Sequence, residues 1–198
     1  MVLPAIAICT IVGAIVVVIV ILLIWITQFN GLVSVRNRVD ESWSDVQTEL
    51  KRRYDLIPNL VKTVKGYAKH ERDLLKDITA MREKCMQDQG SPKQQARSET
   101  KLSSLLDKLI VRLENYPDLK ASKNFLQLQE ELTDTEDRIQ ASLRFYNANV
   151  REMNNKKEQF PSNVVAGIHG FKLREFFEVK DKKVAKAMQK PVDVDFDT

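Results

Sequence analysis

Residues 31 to 64 read GLVSVRNRVDESWSDVQTELKRRYDLIPNLVKTV, and this stretch decides the fold. Its apolar side chains fall at Leu32, Val35, Val39, Trp43, Val46, Leu50, Tyr54, Ile57, Val61 and Val64, separated by steps of three and four. That spacing lines one side of a helix, whereas a half-buried strand alternates every second residue. Pro58 interrupts the run, removing a backbone hydrogen bond and crowding the carbonyl of Tyr54 at a cost of about 3 kcal/mol. Trp43, Leu50, Ile57 and Val64 nevertheless keep a seven-residue register across it. The sequence therefore predicts one helix, kinked near Tyr54, that continues through Leu74, Ile78 and Met81 and ends before Gly90.

Upstream the chain changes character. Residues 1 to 27 contain no Asp, Glu, Lys or Arg, so all 31 basic and 27 acidic side chains lie beyond Thr27. From Val2 to Ile26 the run is apolar, and at about 1.5 Å per residue it is long enough as a helix to cross a hydrocarbon layer of roughly 30 Å. A cleavable signal peptide would show a basic start and an apolar run of about 7 to 15 residues. This run has no basic start and is far longer, so an uncleaved anchor over 1–27 is expected, with Pro4 near its outer start and Trp25 at an interface. No Lys or Arg precedes it, while Arg36 and Arg38 follow closely. That asymmetry predicts a single-pass protein of a cell membrane with its short N-terminus outside and the large domain cytoplasmic.

Downstream the helical signals continue. Gly90-Ser91-Pro92 both stops one helix and starts the next: Ser91 can cap, Pro92 suits the first helical position, and Gln94 completes a capping box. Leu102, Leu106, Leu109 and Leu113 line that second helix, which should end at Tyr116-Pro117, with Asp118 capping the third. Phe125, Leu132, Ile139, Tyr146 and Met153 then recur every seven residues, with Leu128, Thr135, Ser142 and Asn149 between them. Small and polar residues at the alternate positions argue for a bundle seam rather than a two-stranded zipper. Six Gly and six Pro are too few for the turns of an all-β sandwich or barrel. The expected fold is all-α: an N-terminal single transmembrane helix followed by an antiparallel bundle of long helices, approximately 28–89, 91–116 and 118–158. A Phe/Lys-rich tail from 160 to 198 follows, with a short helix and an acidic C-terminus. It carries five of the eight phenylalanines, and residues 156 to 190 hold nine basic against four acidic side chains.

The chemistry-bearing residues are sparse. Cys9 and Cys85 lie on opposite sides of the boundary at Thr27 and cannot plausibly pair. His70 and His169 are widely separated, and no metal-ligand spacing, phosphate loop or nucleotide fingerprint occurs. No catalytic, cofactor-binding or metal-ligating residue is therefore expected. His70-Glu71 reads as a solvated surface pair and His169 as a turn residue. Cys85, with Lys84 beside it and Arg82 one turn back, has neighbours that could lower its pKa but no evident catalytic partner. Lys51-Arg52-Arg53-Tyr54 is a basic run with an aromatic neighbour; interleaved with Asp45, Glu49 and Asp55 it reads as the outer face of an amphipathic helix, not a nucleic-acid site. The tail's Phe and Lys could either close the end of the bundle or enter a membrane interface, with the lysine stems snorkelling.

Several of these stretches carry a resemblance. Phe29 to Val33, Arg36 to Val39, Trp43, Leu50 to Val61 and Val64 to Tyr67 closely resemble the LemA family, as do Asn115 to Ala121, Asn124-Phe125 to Leu128-Gln129, Glu131-Leu132, Thr135-Glu136, Arg138-Ile139, Tyr146-Asn147 and Phe160 to Asn163. The resemblance runs from the span to about Glu178; Ile168-His169-Gly170 and the heavily basic segment from Lys180 to Lys190 depart from it. It implies a bacterial or archaeal single-pass membrane protein with an antiparallel helical domain, and it implies no reaction. Within the quoted motifs and their surroundings, Trp43, Arg52, Arg53, Tyr54, Pro58, Asn59, Tyr67, Tyr146, Phe160, Pro161 and Phe171 are the structural or interaction candidates. Trp43 and Tyr146 are expected in the core. The functional expectation is a non-enzymatic scaffold that binds no nucleic acid, partners the lipid bilayer and self-associates. A regulatory or adaptor partner of another membrane protein, such as a protease or sensor, is the first alternative; an enzyme with an unrecognised site is the second. Self-association is expected through Phe29 to Trp43, because the second helix, about 39 Å long against about 90 Å for the first, is too short to cover that face; the alternative is that the third helix, about 61 Å long, and the tail cover it within one chain.

Overall fold

The computed structural model describes residues 2 to 178, apart from the side chains of 2–10 and of Lys69. The basic segment from Lys180 to Lys190, Phe196, the acidic C-terminus and the side chains of Pro4 and Cys9 lie outside the described residues. The described residues are helical, without strands: α1 (Val2–Tyr67), a 3-10 turn (Lys69–Glu71), α2 (Arg72–Gln87), α3 (Pro92–Leu113), α4 (Pro117–Lys120), α5 (Lys123–Glu158) and α6 (Ser162–Ile168). The apolar head and the amphipathic stretch after it are one continuous helix, and α1 runs through Pro58 without a break. From Ile11 to Ile24 the large apolar side chains are exposed on every side of the helix. A core helix of a soluble protein would hide that surface, so α1 has the length and composition of a membrane span.

The chain divides into two compact units. The first comprises the described residues up to Arg52 together with Thr133–Glu175. Here α5 lies antiparallel to α1: Arg38 bonds Glu152, and Trp43 meets Tyr146. Leu32, Val35, Val39 and Val46 from α1 and Ile139, Tyr146, Val150 and Met153 from α5 are buried. The face from Phe29 to Trp43 that was expected to stay open for a second copy is thus largely covered within the chain. After α5 the chain turns, and α6 presses Val165 and Ala166 onto Leu32, with Trp25, Phe29 and Phe171 packed around them. Residues 171–175 then return along α5. Asn154 exchanges two hydrogen bonds with the Arg174 backbone, and Tyr146 Oη donates to the Glu175 carbonyl at 2.8 Å.

The second unit comprises Arg53–Leu132 and the last described residues. The helix expected over 28–89 ends at Tyr67; Ala68 leaves helical dihedrals (φ −113°, ψ 73°), the 3-10 turn follows, and α2 doubles back along α1 so that Arg82 reaches the Tyr54 carbonyl. The apolar periodicity from Val64 to Leu74 stayed in phase across the turn and disguised it. Leu74, Leu75 and Ile78 of α2 and Leu102, Leu109 and Leu113 of α3 close this core. The capping box at Ser91, Pro92 and Gln94 is formed. The helix expected over 118–158 is also divided, because α4 is a single turn and α5 starts afresh after Ser122.

Candidate functional site

The motif Lys51-Arg52-Arg53-Tyr54 sorts itself by helix geometry. The buried face of α1 passes through Val39, Ser42, Val46, Leu50, Arg53, Ile57, Leu60 and Val64. Arg53 therefore stands on the apolar stripe, while Arg52 is exposed. The reading of the whole run as an outer face is overturned for Arg53, which is 2% exposed. Burying a lone guanidinium is prohibitive, so a counter-charge must stand opposite. Glu99 provides it. Continuing the α3 stripe of Leu102, Leu106, Leu109 and Leu113 back by one turn lands on Glu99, which is buried too. Arg53 Nη2 and Tyr54 Oη donate to the two carboxylate oxygens of Glu99, and Arg53 Nη1 donates to Ser103 Oγ at 2.9 Å.

Pro58 completes the local logic. In an α-helix the carbonyl of residue 54 accepts from the N–H of residue 58, and proline has none. The acceptor left over by Pro58 is taken by Arg82 Nε of α2 at 2.6 Å. Proline is thus tolerated in mid-helix because a side chain from the returning helix replaces the missing donor. Pro58 and Asn59 themselves are exposed, as is Tyr67 at the end of α1.

Electrostatics keep this network protonated where it could react. Burial, then the Glu99 carboxylate, holds the Tyr54 hydroxyl far above the ordinary tyrosine range. The same two causes push the Cys85 thiol up to about 12, the opposite of the lowering that Lys84 and Arg82 could have produced. Cys85 is buried and stays a thiol at neutral pH, so it has no nucleophilic thiolate to offer. Glu71 is likewise not a solvated partner of His70: it is nearly buried at the turn and accepts from Arg112 Nη1 at 2.7 Å. The hydrogen bond that Arg112 donates to Glu71 raises the Arg112 pKa. No grouping of His, Cys, Asp and Glu that could hold a metal ion occurs among the described residues.

The first unit carries the remaining candidates. Tyr146 is buried, but Trp43 is only half-buried and lies against it with ring centroids 5.1 Å apart. Trp43 is therefore not the core residue that was expected: the buried position beside it belongs to Ser42, whose hydroxyl donates to the Val39 carbonyl at 3.0 Å. Burial pushes the Tyr146 hydroxyl up to about 12. Phe171 is half-buried, 6.1 Å from Phe29 between ring centroids, with the Arg36 guanidinium 5.8 Å from its ring centre. His169 contributes its ring to the same cluster, 4.6 Å from Phe29 and 5.9 Å from Trp25. Pro161 is half-buried at the start of α6, and Phe160 is 82% exposed. The sequence reading missed Glu99, Arg82 and Asn154. Glu99 had a visible signal, a charge on a leucine stripe; Arg82 had only the unfilled carbonyl that Pro58 implies.

Residues 42 to 196 match the model of the LemA family. Protein LemA of Metamycoplasma hominis is 32% identical over 146 residues, which cover 72% of this chain and 65% of that protein. Magnetosome protein MamQ of Magnetospirillum gryphiswaldense is 22% identical over 178 residues, or 77% of this chain and 65% of the relative. Magnetosome protein MamQ 2 of Paramagnetospirillum magneticum is 23% identical over the same shares. The chain thus spans about 65% of the length of these relatives. The apolar N-terminal helix and these likenesses fit a membrane-associated helical protein.

Proposed function

The chain belongs to the LemA family, and from that premise we propose that it is a membrane-anchored, non-enzymatic helical scaffold whose copies assemble side by side on the cytoplasmic surface of a prokaryotic cell membrane. One observation carries the reading: the span passes into the helix of the soluble part without a break, as the single element α1. Every copy is then held in the bilayer in the same orientation, and confinement to a plane raises the local concentration so that weak lateral contacts suffice. The polar residues support the same reading. Arg53, Tyr54 and Glu99 are enclosed and bonded to one another, and Cys85 is buried and protonated, an arrangement that holds helices together rather than meeting a substrate.

Because Leu32, Val35 and Val39 are covered within the chain, the lateral contacts involve the exposed side of α1, where Ser34, Asn37, Glu41 and Asp45 lie, together with the span itself. Single cysteines at those four positions, in a full-length chain with Cys9 and Cys85 replaced, test this by crosslinking in native membranes. Dimers and larger ladders at one or more positions are expected. Monomer at every position would end the scaffold proposal, and a crosslink of fixed size to a different protein would favour the adaptor reading. The orientation is tested separately: protease added to spheroplasts should spare the soluble part, and digestion from outside would reverse the topology.

A further inference from the structure

The turn between α5 and α6 lies at the end of the first unit where the apolar span stops. The antiparallel pairing of α5 with α1 carries Lys156 to within 3.2 Å of where a side chain on Gly31 would begin, five residues beyond Ile26. The Trp25 ring, in the last turn of the apolar run, meets the His169 ring at the end of α6. With α1 crossing a bilayer, α6 and the turn before it are therefore at the membrane–water boundary. The short helix divides there into two faces. Ser162, Val165 and Ala166 are buried against the protein. Val164 and Ile168, one turn apart, are 46% and 66% exposed, and Phe160 ahead of them is 82% exposed. Phe, Val and Ile open to water at one end of a small unit form the kind of apolar surface that marks a partner, and at this level the medium already present is lipid. Lys157, Lys172 and Arg36 bring positive charge to the same end, opposed by Glu158.

We propose that α6 and the Phe160 turn form a second, monotopic contact with the bilayer that α1 crosses, in which Phe160, Val164 and Ile168 enter the interfacial layer while Lys157, Lys172 and Arg36 lie at the level of the phospholipid phosphates. An apolar face flanked by basic side chains is how a helix settles in the plane of an interface, and long basic side chains reach from there to the head groups. The contact fixes the first unit against the membrane surface, so that α1 does not turn freely about its axis. The proposal rests on the reading of residues 2 to 26 as a span, and the test separates the two.

Nitroxide labels are placed singly at Val164→Cys and Ile168→Cys in the full-length chain with Cys9→Ser and Cys85→Ala, and that chain without an added cysteine serves as the blank. Both positions are exposed, so neither label disturbs the buried core. The protein is reconstituted in vesicles of phosphatidylcholine and phosphatidylglycerol, and relaxation by oxygen, which concentrates in lipid, is compared with relaxation by a water-soluble nickel chelate. Labels at Ile19→Cys in the span and at Asp137→Cys on the exposed side of α5 set the two limits. An oxygen-to-nickel ratio at positions 164 and 168 several-fold above that at 137, and lying between the two limits, is the expected result. A ratio equal to that at 137, with the label at 19 in lipid, overturns the second contact and leaves the span intact. Immobilised labels shielded from both reagents would overturn it in favour of a protein partner, such as a second copy. A label at 19 open to the chelate would overturn the span and the second contact together.

Discussion

The two units of this protein differ in whether an ion pair stands in the interior. In the first, the ion pairs Arg38–Glu152 and Arg174–Asp40 lie outside, with side chains between 37% and 56% exposed, around an interior of Leu32, Val35, Val39, Val150 and Met153. In the second, Arg53 and Glu99 stand inside, at 2% and 7%, on the stripes where leucines would serve as well. An exposed pair is worth about 0 to 1 kcal/mol because water and salt screen it. A buried pair has already lost its hydration, so either partner alone becomes a liability. The first unit is held by apolar packing and decorated with charge; the second depends on one charge meeting another. The dependence has a use: a leucine face can slide by a turn, whereas Arg53 finds a carboxylate only when α3 is in register, and the Glu99 oxygens also receive Tyr54.

The largest effect expected from this contrast is at Arg53. Arg53→Met, which strands the Glu99 carboxylate, should destabilise the protein by roughly 3 to 5 kcal/mol in urea melts. Adding Glu99→Leu should recover most of that loss. If the single and double variants are equally destabilised, the pair acts through shape rather than charge.

Alkaline pH should separate the units next. Cys85 rises from an ordinary 9.0 to about 12, Tyr146 from 10.0 to about 12, and Tyr54 further still. Each group binds its proton more tightly when folded than when unfolded, so its contribution is complete below its unfolded pKa and is lost as pH climbs toward the folded value. Stability should hold to about pH 9 and fall steadily between pH 9 and 12, beginning with Cys85. In Cys85→Ala the onset should move up toward pH 10, where the tyrosines begin. Melting curves independent of pH up to 11 would show that these groups are open to solvent.

Pro58 and Arg82 offer a smaller and more specific test. Arg82→Leu leaves the Tyr54 carbonyl without a donor and should cost about 1 to 3 kcal/mol. In a Pro58→Ala chain the backbone N–H returns, and the same Arg82 change should then cost only a few tenths of that. Equal costs in both backgrounds would mean that Arg82 matters through its packing alone. At the small end, Arg38→Ala in the first unit should shift stability by less than about 1 kcal/mol. A loss as large as that of Arg53→Met would erase the distinction between the units.

Much of this architecture was legible, and its failures are instructive. The steps of three and four from Leu32 to Val64 are a direct consequence of helical pitch, and the helix follows them. Ser91, Pro92 and Gln94 describe a helix start that needs no tertiary contact, and it forms. The turn at Ala68 was hidden because Val64, Leu74 and Ile78 stay in phase while the residues between them change direction. The signal lay in the gap, since Lys65 to Asp73 offers only Tyr67 and Ala68 as apolar side chains and includes Gly66. Arg53 was assigned to the surface because a charge taken singly belongs in water. Its partner is 46 residues away on another helix, and no local pattern announces such a pairing. Size and the seven-residue stripe through Leu50 and Ile57 both point Trp43 inward, whereas the buried position goes to Ser42 next to it, able to bond the turn before it, and Trp43 is half-buried against Tyr146. The exposed apolar face of α6 was within reach: the tail's mixture of Phe and Lys admits a membrane interface or a bundle end, and α6 buries Val165 and Ala166 while exposing Val164 and Ile168.

The central claim is that the span gathers copies of the chain into assemblies. The most direct measurement is the protein mass of the full-length chain extracted in mild detergent, read by light scattering with the detergent contribution subtracted, beside that of residues 28 to 198 in buffer. The account predicts a full-length species at a multiple of 22.8 kDa and a much smaller, monomeric soluble part. A full-length species of 22.8 kDa at every concentration would contradict it.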